Sequence, residues 1–313
     1  MMGLFGKRSR GQAGRKRFCR KRSGIDETAD AWILLIPLVL LMALFIALPV
    51  LSNFYYSFTK WNGLGKPQFI GLENYRRMMG DSRFASSLKN MGILILYIPL
   101  GVLAPLILAA VLRGGYRGWR IFRAVFYLPN ILGPVLLGIL YLVLFSQIGP
   151  VTEILKRLGV PEAESFYLFG KSKTAIHTLS FLFVVWIRLG FGCIYFLSAM
   201  SNIDSALYDA ADVDGATVLQ KFIHVTIPGI DFSVQFFTVL AFIEVFARMY
   251  GLIFTLTGGG PGFATYTLEY GIYNLSFKAM QKGYASAWAV VLFCCCAVIA
   301  LVQIRLIKKR NMV

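Results

Sequence analysis

Three charged side chains stand inside long apolar stretches of the sequence: Arg188, Glu244 and Arg248. A charge within a membrane-crossing segment costs on the order of 2.5–3.5 kcal/mol on insertion scales, so it usually faces a polar cavity or another charge. Two interpretations stay open. Glu244 and Arg248 are four residues apart, so they can pair on one helix face and only orient their helix. Alternatively, all three line a water-filled path.

Two aromatic residues, Trp186 and Tyr250, lie close to these charges in the sequence. Sugars present apolar C–H faces beside hydroxyl groups, so aromatic rings next to hydrogen-bonding side chains suit them. On the second interpretation the sequence therefore predicts a substrate path lined by Trp186, Arg188, Glu244, Arg248 and Tyr250.

A second stretch, residues 205–229, reads SALYDAADVDGATVLQKFIHVTIPG and is polar between apolar neighbours. Ser205 is expected to cap a first short helix, and Asp214-Gly215 to end it, because glycine readily takes the left-handed conformation. Thr217 and Gln220 have capping-box spacing and predict a second helix, which ends at Ile227-Pro228-Gly229. One face of that second helix is apolar and carries Val218, Leu219, Phe222 and Ile223.

Two short helices that meet at Gly215 form a compact unit that can bind in a groove on another protein. A solvated surface loop is an equally simple interpretation of the same aspartates. A helix lying on the membrane is a weaker one, because basic residues usually dominate the polar face of such helices and here acids do.

The elements that must position these residues are membrane helices. The chain has 313 residues, of which 57% are hydrophobic and only 15% charged, with a mean hydropathy of +0.66. Crossing a bilayer takes about 20 apolar residues, and six segments qualify: 31–51, 91–112, 124–146, 174–200, 232–256 and 283–304. We therefore predict an all-α integral membrane protein with six transmembrane helices.

The net charge of +17 is concentrated at the ends of the chain, which predicts topology. An excess of Lys and Arg marks cytoplasmic loops, so both basic ends and the Arg-rich link 113–123 are expected inside the cell. The predicted organisation is a basic cytoplasmic tail at 1–30, a six-span domain at 31–307 and a basic tail at 308–313. The 205–229 segment then lies in the cytoplasm, between spans four and five.

Several function classes are disfavoured by the same residues. Basic residues that flank apolar segments fit anionic lipid rather than nucleic acid. The first apolar run lacks a cleavage site and is interpreted as a retained anchor rather than a signal peptide. No metal-ligand or disulfide spacing is found among the five cysteines, His177 and His224, so we expect no metal site. No catalytic pair of residues lies in the spans, so we expect no enzymatic activity.

The 205–229 segment resembles the EAA motif of permease subunits in binding-protein-dependent ABC importers. The resemblance rests on Tyr208, Asp209, Ala210, Ala211, Asp214, Gly215, Ala216, Phe222 and Pro228. In that family the motif forms coupling helices that sit in a cleft of the ATP-hydrolysing subunit. The chain departs from the pattern at Asp209, where the family usually has Glu, and at Ile227, where it usually has Leu.

The resemblance covers nearly the whole chain after the basic start. Four further passages are similar to the sugar-permease branch, which serves maltose-type, multiple-sugar and glycerol-phosphate importers: 69–90, 126–132, 256–262 and 282–293. It implies a carbohydrate permease of the bacterial cell membrane with three kinds of protein partner: an ABC ATPase dimer, a second related permease and an extracytoplasmic solute-binding protein. No cofactor is expected on this chain, since ATP would be bound by the ATPase and no GxxxxGK[ST] occurs.

Two alternatives remain beside carbohydrate import. A related permease could carry another small solute such as glycerol phosphate. A self-sufficient secondary carrier would need coupling-ion carboxylates in the membrane and usually internal repeats, and the sequence offers only Glu244 and no repeat.

Overall fold

The computed structural model describes residues 24–114, 119–146, 148–159 and 172–310. The chain divides into two compact units, residues 1–51 and 52–313, which are described separately. Most of the predicted basic tail, residues 1–23, lies outside the described residues, as do 311–313.

The first unit is an apolar helix. It consists of α1 (Gly24–Met42) and a π-helical turn (Ala43–Ala47), after which the chain continues as α2 (Leu48–Ser57). Residues Trp32–Ser57 have a mean hydropathy of 3.0 over their most apolar window, and the side chains from 32 to 51 are exposed. The predicted span 31–51 is thus helical. The helix begins at Gly24, within the range predicted as tail.

The described part of the second unit is also mainly helical. Its helices are α3 (Glu73–Met79), α4 (Ser82–Leu96), α5 (Ile98–Leu112), α6 (Trp119–Phe145), α7 (Pro150–Arg157), α8 (Ser172–Ser180), α9 (Ile187–Met200), α10 (Ser205–Val213), α11 (Val218–Lys221), α12 (Ile227–Gly229), α13 (Asp231–Ala247), α14 (Tyr250–Leu256), α15 (Leu268–Tyr273) and α16 (Lys282–Arg310). Short π-helical segments are Phe181–Trp186, Phe222–Thr226 and Asn274–Lys278. Strands β1 (Thr59–Lys60) and β2 (Gln68–Phe69) pair antiparallel, Thr59 opposite Phe69.

Five helical stretches in the described residues are long and apolar enough to cross a membrane, and a bent pair of helices raises the number to six. The bent pair is Val218–Gly229 with Asp231–Ala247, which meet at 74°. The all-α membrane class is therefore confirmed. The predicted second span begins earlier than expected, at Ser82, because Asp81 caps α4 by accepting a hydrogen bond from the Arg83 backbone N–H at 2.9 Å.

The prediction of one continuous span over 232–256 is wrong. Helix α13 ends at Ala247, and Arg248, with φ −137°, separates it from α14. A carboxylate distant in the sequence supports this break: Glu269 accepts the backbone N–H of Tyr250 at 2.8 Å. The free N–H groups at a helix start need such acceptors, and this one comes from another element, so no local pattern predicts it.

The core of the second unit forms where α9 packs between α5 and α6. Gly190 permits the contact with α6, because a Cβ atom there would lie 2.0 Å from the Phe126 carbonyl oxygen. Small residues commonly allow membrane helices to approach this closely. The largest fully buried side chains include Phe196, Phe237 and Trp288. This packing holds α9 and α13 side by side.

Candidate functional site

The first candidate site is the 205–229 segment, and its two helices begin and end largely as predicted. Asp204 rather than Ser205 caps α10, since its carboxylate accepts the Ala206 backbone N–H at 3.0 Å. The cap lies one residue earlier than predicted because Ser205 already has helical backbone. Gly215, with φ +72°, ends the helix as predicted.

The predicted capping box at the start of α11 is confirmed. Thr217 Oγ1 accepts the Gln220 backbone N–H at 3.3 Å, and Gln220 Oε1 accepts the Thr217 backbone N–H at 2.7 Å. These reciprocal bonds satisfy two otherwise free donors at the helix start. The helical course continues through Phe222–Thr226 and α12 and stops at Ile230, with φ −120°.

Side-chain contacts join the two short helices into one unit. Lys221 Nζ donates to Asp212 Oδ1 at 2.5 Å, and the Tyr208 hydroxyl lies 2.8 Å from Thr226 Oγ1. The Arg113 guanidinium, at the end of α5, lies 4.0 Å from the centre of the Tyr208 ring. The segment is therefore tied to the end of a membrane helix.

A cleft of about 460 Å³ lies between the helices. Its lining includes five predicted residues: Ala210, Ala211, Asp214, Gly215 and Ala216. Asp209 and Pro228 are exposed outside that lining, and Phe222 is half-buried. The apolar side chains Val218 and Leu219 are also exposed, at 82% and 66%. Exposed apolar side chains of this kind are typical of a surface that binds another protein.

The second candidate site is the charge cluster, consisting of Arg188, Glu244 and Arg248. The predicted i,i+4 pair is not its main contact. Arg188 Nη1 of α9 donates to Glu244 Oε2 of α13, whereas Arg248 Nη1 lies 3.9 Å from Glu244 Oε1. The prediction missed this pairing because the two partners are 56 residues apart and meet only through helix packing.

Arg188 is deeply buried, with 4% of its side chain exposed, and Glu244 is 25% exposed. The guanidinium also donates from Nη2 to the Phe237 carbonyl at 3.3 Å and lies 4.5 Å from the Phe237 ring centre. Its Nε has no hydrogen-bond partner among the described residues. A buried cation of this kind depends on the single carboxylate beside it.

All three charges line one pocket of about 380 Å³. The other lining residues are Pro129, Asn130, Gly133, Pro134, Leu137, Phe183, Ile187 and Phe191. The sequence prediction did not select any of them for this path. Asn130 carries the signal that could have found it, an amide inside an apolar segment between two prolines.

Trp186 and Tyr250 are not in the lining of this pocket. Trp186 is partly exposed elsewhere on the helix, since it lies two residues before Arg188 and faces away. Tyr250 follows the break in the helix and packs among aromatic rings, with centroids 5.5 Å from Phe254 and 4.6 Å from Tyr273. The structure thus does not bring these two rings together with the charges in this pocket, and their place on the substrate path stays a prediction.

The end of the bundle where α4, α8 and α15 meet holds the glycine-rich passage 256–262. Gly258, Gly259 and Gly262 have positive φ, which confirms the predicted sharp bend. Asn90 clamps this loop by donating to the Phe263 and Tyr266 carbonyls, each at 2.9 Å.

Two acids near this end have shifted pKa values. Burial works to raise the pKa of Asp81, but hydrogen bonds from Arg83 and Tyr284 outweigh it and hold the pKa below the usual value. Burial raises the pKa of Glu269, and the backbone N–H groups of Tyr250 and Met249 oppose that shift. Both acids serve as helix caps, so they stabilise the architecture rather than a reaction.

The long apolar helices define this chain as an integral membrane protein, and comparison with known proteins identifies its family. It is 31% identical over 280 residues to the multiple sugar-binding transport system permease protein MsmF of Streptococcus mutans, which covers 89% of this chain and 95% of that protein. It is 27% identical to the sn-glycerol-3-phosphate transport system permease protein UgpA of Yersinia pestis, over 92% and 97% of the two chains.

Among solved structures, a bacterial alginate ABC transporter in complex with an alginate pentasaccharide-bound periplasmic protein has a chain with the same fold. The TM-score is 0.76 at 22% identity, covering 90% of this chain and 94% of that chain. No protein-family model matches the sequence. The chain belongs to the permease family of sugar ABC transporters.

Proposed function

We propose that this chain is a membrane-spanning subunit of an ATP-driven carbohydrate importer, and that the 205–229 segment docks the ATPase. The observation that supports this most strongly is the rigid two-helix unit with its exposed cleft, tied to α5 through Arg113 and Tyr208. An ATPase on another chain can transmit its closure to the membrane helices only through a rigid element that contacts it. Tyr208, Asp209, Ala210, Ala211, Asp214, Gly215, Ala216, Phe222 and Pro228 form the proposed contact region.

The proposed topology has six spans with both termini and the 205–229 segment in the cytoplasm. The Lys and Arg residues at both ends of the chain support it. Only the second helix of the bent pair, Asp231–Ala247, belongs to the fifth of these spans. The proposed location is the cytoplasmic membrane of a bacterium.

The proposed partners are an ABC ATPase dimer that binds the ATP, a second related permease and an extracytoplasmic solute-binding protein. The sequence contains no GxxxxGK[ST] motif of its own, which supports a separate ATPase. The permease relatives and the alginate transporter complex with its periplasmic protein support the rest. In this arrangement the binding protein delivers a sugar, and ATP-driven closure turns the spans from inward-facing to outward-facing.

The proposed substrate path passes the pocket that Arg188, Glu244 and Arg248 line. Its apolar walls and its polar groups suit the C–H faces and hydroxyls of a sugar. Another small solute, such as glycerol phosphate, is the alternative cargo for the same path.

Co-purification tests the docking proposal. The wild-type subunit should retain its ATPase in detergent, and Asp209→Lys or Gly215→Pro should lose it, since proline cannot adopt the φ of +72° at Gly215. Gly65→Pro is the matched control, a positive-φ glycine with no neighbour within 4 Å in another loop. Glu73→Lys is the charge control on an exposed acid.

Retention of the ATPase by both 205–229 variants would refute the docking proposal. Uphill solute uptake by this chain alone in liposomes would refute the whole importer proposal. The departure at Asp209 adds a finer measurement: Asp209→Glu should strengthen stimulation of ATP hydrolysis if the longer acid makes a better ion pair with the ATPase.

A further inference from the structure

The pocket beside the charge cluster has surplus positive charge. Two guanidinium groups and one carboxylate line it, those of Arg188, Arg248 and Glu244. Glu244 is engaged by the buried Arg188 in direct contact, so its charge is largely neutralised within α9 and α13. The cation that remains is Arg248.

Arg248 is placed to meet something in the pocket rather than to hold the fold. It stands at the break between α13 and α14, and its backbone N–H donates to the Glu244 carbonyl at 3.0 Å. Its side chain is 72% exposed, and its guanidinium approaches Glu244 only to 3.9 Å. Five donors of a planar guanidinium are thus largely unused by the described residues.

The acids nearest in the sequence on the neighbouring elements are occupied elsewhere. Glu269 accepts the Tyr250 backbone N–H at 2.8 Å. Asp231 lies at the opposite end of α13 and accepts from Gln235 at 2.6 Å. A cation at membrane depth costs on the order of 2.5–3.5 kcal/mol, and among the described residues only the distant contact with Glu244 offsets it.

The rest of the lining suits a saccharide. Asn130 offers an amide that donates and accepts, and Phe183, Ile187 and Phe191 offer apolar walls. The volume of about 380 Å³ is near the lower end of ligand pockets, which span roughly 300–1,000 Å³. The pocket thus provides an amide for hydroxyl groups, apolar surface for C–H faces and one guanidinium for an anion.

We propose that the solute carried past this pocket bears an anionic group, a carboxylate or a phosphate, and that Arg248 binds it. This rests on the proposed function and narrows its cargo to acidic carbohydrates or sugar phosphates. Arginine is suited to the role because its planar fork binds carboxylate and phosphate oxygens in pairs. Arg188 serves as the internal counter-charge that keeps Glu244 from competing for Arg248.

The test uses the assembled transporter in liposomes with its binding protein outside and ATP inside. Uptake is measured for four labelled probes: digalacturonate for the carboxylate, glycerol 3-phosphate and glucose 6-phosphate for the phosphate, and maltose as a neutral sugar. The wild type should take up one anionic class at least tenfold faster than maltose. Arg248→Gln should remove that preference at least tenfold, and Arg248→Lys should keep part of it.

Arg76→Gln, on an exposed arginine of α3, is the matched control and should leave the preference unchanged. Protein level and the unfolding midpoint of each variant separate loss of transport from loss of folding. Preferential uptake of maltose by the wild type, or an anion preference that survives Arg248→Gln, would overturn the proposal.

Three further outcomes separate this proposal from the importer proposal. If the complex keeps its ATPase and imports only neutral sugar, the anion proposal fails and the importer proposal stands. If Arg248→Gln instead releases the second permease without altering the preference, Arg248 is an interface residue and the anion proposal is overturned. Loss of the ATPase from the wild-type complex would refute the importer proposal itself.

Discussion

The 205–229 segment and the charge cluster are both polar exceptions in an apolar chain, but they satisfy their polar groups differently. In the segment, local hydrogen bonds of caps and turns satisfy the backbone, and Asp209, Val218 and Leu219 stay exposed. In the cluster, a contact between two helices pairs Glu244 with Arg188, and Arg188 is buried. Changes in the segment should therefore alter binding of another chain, whereas breaking the pair of Arg188 and Glu244 should alter the stability of this one.

The largest expected effect is that of Glu244→Ala. It leaves the buried Arg188 without its counter-charge, and we expect a loss of about 3 kcal/mol in unfolding free energy, the lower end for a broken buried pair, since Glu244 is 25% exposed. Thermal unfolding of the detergent-solubilised subunit measures it. The double change Arg188→Met with Glu244→Leu should recover most of the loss.

Asp209→Ala is the matched change in the 205–229 segment. Asp209 is exposed and has no ion pair among the described residues, so we expect a change within about 0.5 kcal/mol in the isolated subunit. Equal losses of unfolding free energy in Glu244→Ala and Asp209→Ala would contradict the difference between the two regions.

Two glycines give the next contrast. Gly190→Ala places a Cβ 2.0 Å from a backbone oxygen of α6, and we expect a loss of about 2 kcal/mol in stability, as for other overpacked sites. Gly215→Ala meets no neighbouring atom within 4 Å, so it costs only about 1–2 kcal/mol for the left-handed backbone.

The two variants should differ in the opposite order when retention of the ATPase is measured instead of stability. Gly215→Ala should weaken retention of the ATPase, and Gly190→Ala should not do so per folded molecule. Co-purification normalised to monodisperse protein measures this, and a weaker ATPase contact in Gly190→Ala alone would argue that docking is set by the bundle and not by the segment.

A smaller effect is expected at Arg113, which links the two kinds of region. Arg113→Ala removes the contact with the Tyr208 ring, worth about 0.5–1 kcal/mol at an exposed site. The ATPase should still bind, but less solute should be moved for each ATP hydrolysed. Arg113→Lys keeps a cation over the ring and should retain most of the coupling; an unchanged transport ratio in Arg113→Ala would remove this contact from the mechanism.

The smallest expected effect is a pH dependence from Asp81. Its pKa in the folded protein is lowered, so the unfolded chain takes up the proton first as the pH falls. The stabilisation is present above the ordinary aspartate pKa, about 3.9, and is lost as the pH falls toward the lower folded value. Asp81→Asn should reduce the change in the unfolding midpoint measured from pH 6 to pH 3, and an undiminished change would contradict this role of Asp81.

Much of the fold could be predicted because its signals are local. The lengths of the apolar segments predicted the membrane helices. The predicted start of α4 was nine residues late, because the first turns of that helix are polar. Residues close in the sequence also determine the capping box at Thr217 and the break at Gly215. The cap of α10 was predicted one residue too late, at Ser205 instead of Asp204, since aspartate and serine are both good capping residues.

The pocket was only partly predictable. Charges in apolar segments pointed correctly to Arg188, Glu244 and Arg248 as one group, because burial of charge is costly wherever it occurs. Apolar residues carry no such signal, so Phe183 and Phe191 were not found. The aromatic residues Trp186 and Tyr250 were included on chemical type alone, and neither of them lines this pocket.

By itself, the sequence determined that this chain is a helical membrane protein, where its polar segment bends, and that its membrane charges are few. These properties follow from composition and from contacts within a few residues. Only the tertiary structure decided that Glu244 pairs with Arg188, 56 residues away, that Glu269 caps α14, and that Arg248 stays exposed in a pocket. Those outcomes depend on which helix faces meet, and packing of the whole bundle sets that choice.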